Sequence, residues 1–446
     1  MAEERKNGNW WLPALFIEGF GMSRVAGLAA TAAVLLMIAA GVFWFFYSAP
    51  PRVVTIAAGP PGSSFETNAQ KLAVELARDG VKLRILQTQG SLDNLERLED
   101  LTQKRIDLGF VLSGTSNSEP RAKTNTVASL GSVMYQPLLV FYRGQTRELL
   151  SQFKGQRVVI GPPGSGTRAL SMILLTLNGL GTNDVSIVEL DPAASSRALT
   201  AGAVDALFLM GDSASPQVMG QLMRNTNIQL FDFAQADGYT RRITYLHKIV
   251  LPRGSMDFGR DIPSHDVTLI GPTVELVARR SLHPALIDVL LEGAHNVYGP
   301  ANLIRRENEF PMAVSHGFDL SREATRYYKS GKFLTYQYLP FRLGSFVNRF
   351  VAVFLPLAVV MIPGMRLIPT LLRLRMRFVL FRWYRLLLAL DRELVRPNDA
   401  ASREEMNARL ERIAESVNKI KVPASFADQF YVLRQHIEFV RSRLPK

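Results

Sequence analysis

Two uninterrupted apolar stretches bracket a long middle in which apolar positions follow strand and helix periods by turns. Gly27 to Tyr47 carries no charged residue, and roughly 20 apolar residues span a bilayer. Its end, Phe43-Trp44-Phe45-Phe46-Tyr47, suits the membrane–water interface. A cleaved signal peptide is the competing reading, but its charged leader would be unusually long and Tyr47-Ser48-Ala49-Pro50 is a poor cleavage site. The pattern predicts an uncleaved span over residues 27–48. The second stretch, Phe350 to Met365, is shorter and carries Pro356 and Pro363. With Phe346 and Val347 added, and Arg349 snorkelling to the interface, it predicts a second span over residues 345–366. A re-entrant or surface-lying helix is the alternative.

Between the spans, Val53–Ala57, Lys82–Gln87, Asp107–Leu112, Leu138–Tyr142, Arg157–Ile160, Ser186–Leu190 and Ala206–Met210 read as strands. Asn68–Arg78, Asn94–Thr102, Thr167–Leu177, Ala193–Ala201 and Val274–Ala278 read as helices. Such alternation predicts α/β lobes with mainly parallel sheets. After the second span, Ser402-Arg-Glu-Glu405 reads as a capping box that opens a helix. Met406, Leu410, Ile413, Val417 and Ile420 then follow 4-3 spacing. Beyond Pro423, Phe426, Phe430, Leu433, Ile437, Val440 and Leu444 repeat it. Two seams parted by a proline predict an antiparallel helical hairpin. The seams either pack on each other or form a contact between copies of the chain, a homodimer.

Charge orients these parts. The net charge is +13, and residues 366–446 alone carry 17 basic and 9 acidic side chains. The basic excess is a tail property, which speaks against a nucleic-acid-binding main domain and for anionic lipid beside the span. The positive-inside rule puts that tail in the cytoplasm. The expected organisation is a cytoplasmic segment 1–26, a span 27–48, an extracytoplasmic domain 50–343, a span 345–366 and a basic cytoplasmic helical region 367–446.

One motif occurs twice. Ile56-Ala57-Ala58-Gly59-Pro60-Pro61-Gly62-Ser63 returns as Val159-Ile160-Gly161-Pro162-Pro163-Gly164-Ser165. Each copy follows a β-branched run and precedes a helix pattern. A strand, a glycine turn and a helix start direct backbone N–H groups and the positive end of a helix dipole at one spot, which is an anion site. The second copy, ending in Gly166-Thr167-Arg168, lacks the lysine of a phosphate loop, and its prolines remove donors; an NTPase is excluded. The chain has no cysteine, and its six histidines are scattered without ligand spacing, so no metal or cofactor is called for. Gly211-Asp212-Ser213-Ala214-Ser215 lacks the second glycine of a nucleophile elbow.

Four segments in order carry a family resemblance. Thr88-Gln89-Gly90-Ser91-Leu92-Asp93-Asn94-Leu95, Ile106-Asp107-Leu108-Gly109-Phe110-Val111, the second glycine turn from Gly155 to Thr167, and Ala201-Gly202-Ala203-Val204-Asp205-Ala206-Leu207-Phe208 resemble the TAXI-type solute receptors of TRAP transporters. The resemblance covers roughly residues 52–300. It implies a two-lobed type II periplasmic-binding-protein fold, with lobe I at about 50–141 and 243–343 and lobe II at about 142–242. It implies closure on a small carboxylate or amino acid, delivery to TRAP-type permease subunits, and no bond broken. The chain departs from the family at Gly62-Ser63-Ser64-Phe65-Glu66, where a Gly-Gly-x-Tyr-Tyr-like run is usual, and at Gln136, where a glutamate is common. Two spans are a further departure.

The candidate ligand residues are Ser63, Ser64, Phe65, Glu66, Ser91, Asn94, Tyr135, Ser165, Gly166, Thr167 and Arg168. The serines and Thr167 lie at helix starts, where plain N-capping is the alternative role. Asn94 offers an amide to a ligand oxygen, and Arg168 a bidentate clamp for a carboxylate. Glu66 suits a ligand ammonium; Tyr135 either closes over the ligand or is a core tyrosine. One turn offering a cation and the other an anion fits an amino acid better than a dicarboxylate. A ligand sensor, signalling through the spans to the helical tail, is the alternative function.

Overall fold

The computed structural model describes residues 24–100, 102, 106–115, 126–394, 400–420 and 426–443. It divides into two compact units: Pro50–Val347, and Met1–Ala49 together with Asn348–Lys446. Helix α1 (Arg24–Tyr47) precedes the middle unit in the chain. The middle unit then runs β1 (Val53–Ala57), α2 (Ser64–Arg78), β2 (Lys82–Leu86), α3 (Ser91–Glu99), β3 (Leu108–Leu112), β4 (Val127–Tyr135) and β5 (Leu139–Tyr142). It continues with β6 (Arg157–Val159), α4 (Gly166–Leu177), β7 (Ser186–Ile187), α5 (Pro192–Ala201), β8 (Ala206–Leu209), α6 (Pro216–Met223) and β9 (Gln229–Leu230). It closes with α7 (Ala236–Arg242), β10 (Leu246–Leu251), β11 (Val267–Arg279), α8 (Pro284–Tyr298), α9 (Arg322–Ser330) and α10 (Leu334–Tyr338).

Two sheets form, and their strand orders match. In the first, β2, β1 and β3 are parallel, β11 runs antiparallel beside β3, and β4 flanks the far side of β11. In the second, β7, β6 and β8 are parallel, β5 runs antiparallel beside β8, and β9 flanks β5. β10 also pairs antiparallel with β11, and apart from it each sheet reads second, first, third, returning strand, flanking strand. This is the two-lobed type II periplasmic-binding-protein arrangement. The doubled glycine turns sit at the same place in each half, after β1 and after β6, at the carboxyl ends of parallel strands where α/β folds bind ligands.

Strand β11 departs from the expected helix over Val274–Ala278. Those residues pair with β3 on one side and β4 on the other, and all five are buried. A strand covered on both faces reads as an unbroken apolar run, so its period is lost. Glu275 is the exception within the run and is completely buried. Its carboxylate accepts from Ser113 Oγ at 3.0 Å, Ser129 Oγ at 2.8 Å, Ser315 Oγ at 2.6 Å and the His316 N–H at 2.8 Å. It thus ties β4, the end of β3 and the 315–316 loop to the middle of β11.

In the other unit, α1 packs along α11 (Phe341–Leu394), a single helix that continues through Pro356 and Pro363. Gly41 allows the approach, since a Cβ there would stand 3.6 Å from Val353 and 3.7 Å from Leu357. Arg349 donates to the Phe45 carbonyl at 3.2 Å and lies 4.9 Å over the Phe45 ring. Gly27–Tyr47 and Phe341–Gly364 are long and apolar enough to cross a membrane. Helices α12 (Ala400–Asn418) and α13 (Ala427–Arg443) follow. The capping box does not open α12, because the helix begins at Ala400, ahead of Ser402. The two seams do meet, but around a third wall. Leu380, Leu387 and Leu390 of α11 close one buried cluster with Met406, Leu410, Ile413 and Val417 of α12 and Leu433, Ile437 and Val440 of α13. Residues 1–23, Pro423 and Leu444 lie outside the described residues.

Replacing Glu275 by alanine removes the acceptor of the Ser129 hydroxyl and the His316 N–H, while Ser113 keeps Thr273 Oγ1 and Ser315 keeps the Phe318 carbonyl; each donor left unpaired costs about 1–3 kcal/mol. The Glu275→Ala chain should lose about 2 kcal/mol or more of stability, read as a lowered urea midpoint of the detergent-solubilised protein.

Candidate ligand cleft

The doubled turns are built alike. Gly62 and Gly164 have φ values of +76° and +80°, a region open to glycine and strained for side chains. Each is followed by an N-cap serine: Ser63 accepts from the Glu66 N–H, and Ser165 from the Arg168 N–H, both at 3.2 Å. Both serines are buried. Both hydroxyls cap their helices, a contribution of about 1 kcal/mol each.

The N–H groups expected to be free are engaged, those of α2 and α3 by the opposite lobe and those of α4 by a carboxylate of its own lobe. At the start of α2, Ser64 and Phe65 donate to the carbonyls of Ala214 and Gly211, at 3.4 and 3.3 Å. At the start of α3, Leu92 and Asp93 both donate to the Gly164 carbonyl at 3.1 Å. At the start of α4, Gly166 and Thr167 donate to Asp212 Oδ2, at 2.6 and 3.3 Å. Helix ends leave such groups without intrahelical acceptors, and here three ends are satisfied in one place. The lobes touch through glycines. A Cβ on Gly90 would stand 2.9 Å from Asp212 Oδ2, one on Gly166 2.3 Å from Leu112, and one on Gly211 2.5 Å from Ser64 Oγ.

Asp212 is a residue that the motifs do not mark, because Gly211-Asp212-Ser213 reads only as an incomplete nucleophile elbow. It lies three residues past β8, at the carboxyl end of a parallel strand, and that place is the signal that could have found it. The side chain is fully buried. Besides the two amides, the Thr167 hydroxyl donates to Oδ1, and Ser213 Oγ lies 3.2 Å from it. Burial pushes the carboxyl up from its ordinary range, while the Thr167 hydroxyl, the two amides and the Ser213 hydroxyl pull it down. Among the described residues no cation pairs with it.

The other candidates fall into three groups. Ser64, Ser91, Gly166 and Thr167 line the closed cleft; Ser91 Oγ also accepts from the Leu112 N–H at 2.7 Å and lies 3.0 Å from Thr115 Oγ1. Phe65 and Asn94 face the interior of the first lobe. Phe65 packs on Phe110 with ring centres 5.5 Å apart, and the Asn94 amide donates to the carbonyls of Ala58 and Phe110. Glu66 and Arg168 lie at the outer edges of the turns. Glu66 accepts from the Gly62 N–H at 2.6 Å and Gln87 Nε2 at 2.9 Å, and Arg168 pairs with Glu189 at 2.9 Å.

Tyr135 stands apart, at the crossover into β5. Its hydroxyl donates to Glu309 Oε1 at 2.8 Å, and its ring lies between Phe310 and His247, with centres 4.9 and 5.2 Å away. Burial and the Glu309 bond push the phenol up to about 12.

A family model described as the NMT1-like family matches residues 56–329, more than half of the chain. The chain belongs to the NMT1-like family. The match covers the stretch in which the TAXI-like motifs lie. Distant likenesses occur among solved structures. The periplasmic aliphatic sulphonate binding protein SsuA from Escherichia coli is 13% identical, with 55% of this chain and 69% of that chain covered and a TM-score of 0.33. The alkanesulfonate-binding protein SsuA from Xanthomonas axonopodis pv. citri, bound to MOPS, is 16% identical over 56% of this chain and 74% of that one, with a TM-score of 0.36. The periplasmic binding protein BugD is 12% identical over 56% and 83%, with a TM-score of 0.37. At this distance none of these ligands transfers to the NMT1-like chain.

His247 gives the crossover of this NMT1-like protein a pH dependence. Burial, then the nearby His316, holds its imidazole below the ordinary range, against a smaller opposing pull from Glu309. The neutral form is favoured by the fold, so this stability is complete above pH ~6.5 and is lost as pH falls through that value towards the depressed one. The melting temperature should therefore drop on acidification from pH ~7 to ~5, and His247→Gln should flatten that drop. An unchanged slope in the variant would assign the acid sensitivity elsewhere.

Proposed function

We propose that this protein is a membrane-tethered solute receptor. Residues 50–343 lie outside the cytoplasmic membrane, residues 27–48 and 345–366 cross it, and both termini are cytoplasmic. The cleft between the lobes captures a small carboxylate, and the closed form is handed to TRAP-type permease subunits. The observation that carries this reading is the convergence of three helix N-termini, from α2, α3 and α4, on one cleft of a solute-binding fold. Such ends favour a negatively charged group. Capture exchanges the interlobe bonds of Ser64, Phe65, Leu92 and Asp93 for bonds to the ligand, with Ser91, Ser165 and Thr167 as hydroxyl contacts. Glu66 and Arg168 at the rims suit a ligand with both charges, so the favoured class is an amino acid rather than a dicarboxylate.

A sensor is the second reading, and one observation favours it: α11 is unbroken from Phe341 to Leu394, so a single helix continues from an apolar segment into a folded three-helix cluster. A permease-coupled receptor needs no such cluster. Deleting residues 400–446 separates the two. Uptake that survives the deletion unchanged belongs to a receptor; loss of a ligand-dependent response with binding intact belongs to a sensor.

The binding test is a thermal-shift panel of amino acids, monocarboxylates and dicarboxylates on the full-length chain in detergent. A ligand at 100 times its Kd adds about 2.7 kcal/mol of stability. An amino acid should raise the melting temperature, and Arg168→Ala should abolish the rise. Among the described residues Arg168 pairs only with the exposed Glu189, a contact worth at most about 1 kcal/mol, so the unliganded variant should melt near the wild type. If no member of the panel shifts the melting temperature, the receptor reading fails.

A further inference from the structure

The α4 cradle of the cleft is already filled. Asp212 is fully buried, and no cation pairs with it among the described residues. Yet its carboxylate is met by two backbone amides, a threonine hydroxyl and a serine hydroxyl. The amides can only donate, so they address the carboxylate as they would a bound acid. Asp212 also reaches the opposite lobe: its Oδ2 stands 2.9 Å from where a Cβ on Gly90 would be, at the N-cap of α3. Gly90 is a cap without a side chain. Its helix end faces Asp212 and the Gly164 carbonyl, not a serine or aspartate of its own. A carboxylate between two helix N-termini, one from each lobe, is the arrangement expected of a ligand in such a cleft.

We propose that Asp212 is the specificity-determining residue of the cleft, a resident carboxylate that stands where a solute's acid group would bind at α4. The proposal rests on reading the cleft as the solute site. Its consequence is for substrate class. An acid group brought to α4 must first displace Asp212 or share its donors, and two carboxylates at one set of donors repel. The α4 end is therefore closed to anions. The solute's own carboxylate is left to the donors of α2 and α3, and any second group facing α4 is neutral or cationic. Dicarboxylates are rejected on this ground, independently of Glu66 and Arg168.

The test is replacement of the side chain by a free acid. Asp212→Gly removes the equivalent of acetate, and Asp212→Ala the equivalent of formate. Full-length wild type and variants are melted in detergent with sodium acetate, sodium formate or sodium chloride at equal ionic strength. The wild type should show no response beyond that to chloride. Asp212→Gly should melt lower and be raised saturably by acetate, and Asp212→Ala should respond better to formate than to acetate. Asp212→Asn keeps the volume and should respond to neither. Should the Gly and Ala variants fail to fold alone, purification in the matching anion should recover them.

The proposal is overturned if wild type and Asp212→Gly respond equally to acetate. It is also overturned if neither size-matched anion stabilises or recovers its variant. These outcomes are separable from those of the solute panel. Rescue by acetate with no solute binding would sink the receptor reading and leave the filled cradle standing. Solute binding without any rescue would do the reverse.

Discussion

A helix cannot satisfy its own first N–H groups, and in this protein three helices solve that problem at the same place. The starts of α2 and α3 take carbonyl oxygens from the other lobe, and the start of α4 takes the Asp212 carboxylate. The bonds of α2 and α3 are main-chain contacts, and those of α4 run to a side chain. Together they set how far the lobes can close, because the glycines at positions 59, 90, 166 and 211 let backbone and short side chains meet directly. The glycine turns, the capping serines and the strand order all serve to bring these ends together. A cleft whose strongest donors are spent on internal acceptors is closed by its own chemistry, and any solute competes with that closure.

Much of this could be read from the chain. The doubled Gly-Pro-Pro-Gly-Ser marks both turns, because positive φ before a capping serine leaves few other residues to choose from. The parallel strands β1, β3, β6 and β8 stand out as short β-branched or apolar runs. What could not be read is where long-range partners decide the outcome. Val274–Ala278 is too short and too apolar for its period to tell strand from helix, and pairing on both sides with β3 and β4 settles it. Asn94 shows the same limit. Its place one turn into a helix is visible in sequence, but its commitment to the Ala58 and Phe110 carbonyls depends on β1 and β3 arriving beside it.

The helical tail illustrates a further limit of periodicity. Its two 4-3 seams are plain in sequence, yet a seam only states that a helix has an apolar face. The third wall comes from Leu380, Leu387 and Leu390 near the end of α11. The same helix carries exposed Leu371, Phe378 and Phe381, and an arginine-rich apolar helix beside a span resembles a membrane-interface segment. Its sequence therefore masked a core-forming role. Pro356 and Pro363 misled in the same direction. Each removes a backbone donor without ending the helix, as is tolerated in apolar spans where neighbouring groups readjust.

The matched strand orders carry a consequence for how the chain assembles. The second sheet is built from β5 to β9, all within Leu139–Leu230. The first sheet depends on β11, which ends at Arg279 and separates β3 from β4. As synthesis proceeds from the N-terminus, β1 to β4 emerge first but lack their central neighbour until the other sheet is complete. The first-made half is thus the last to close, and its hydrophobic strand edges stay open through the synthesis of about half of the domain. A repeat that looks symmetric in the finished molecule is ordered in time, with the later copy serving as the finished surface on which the earlier one is completed.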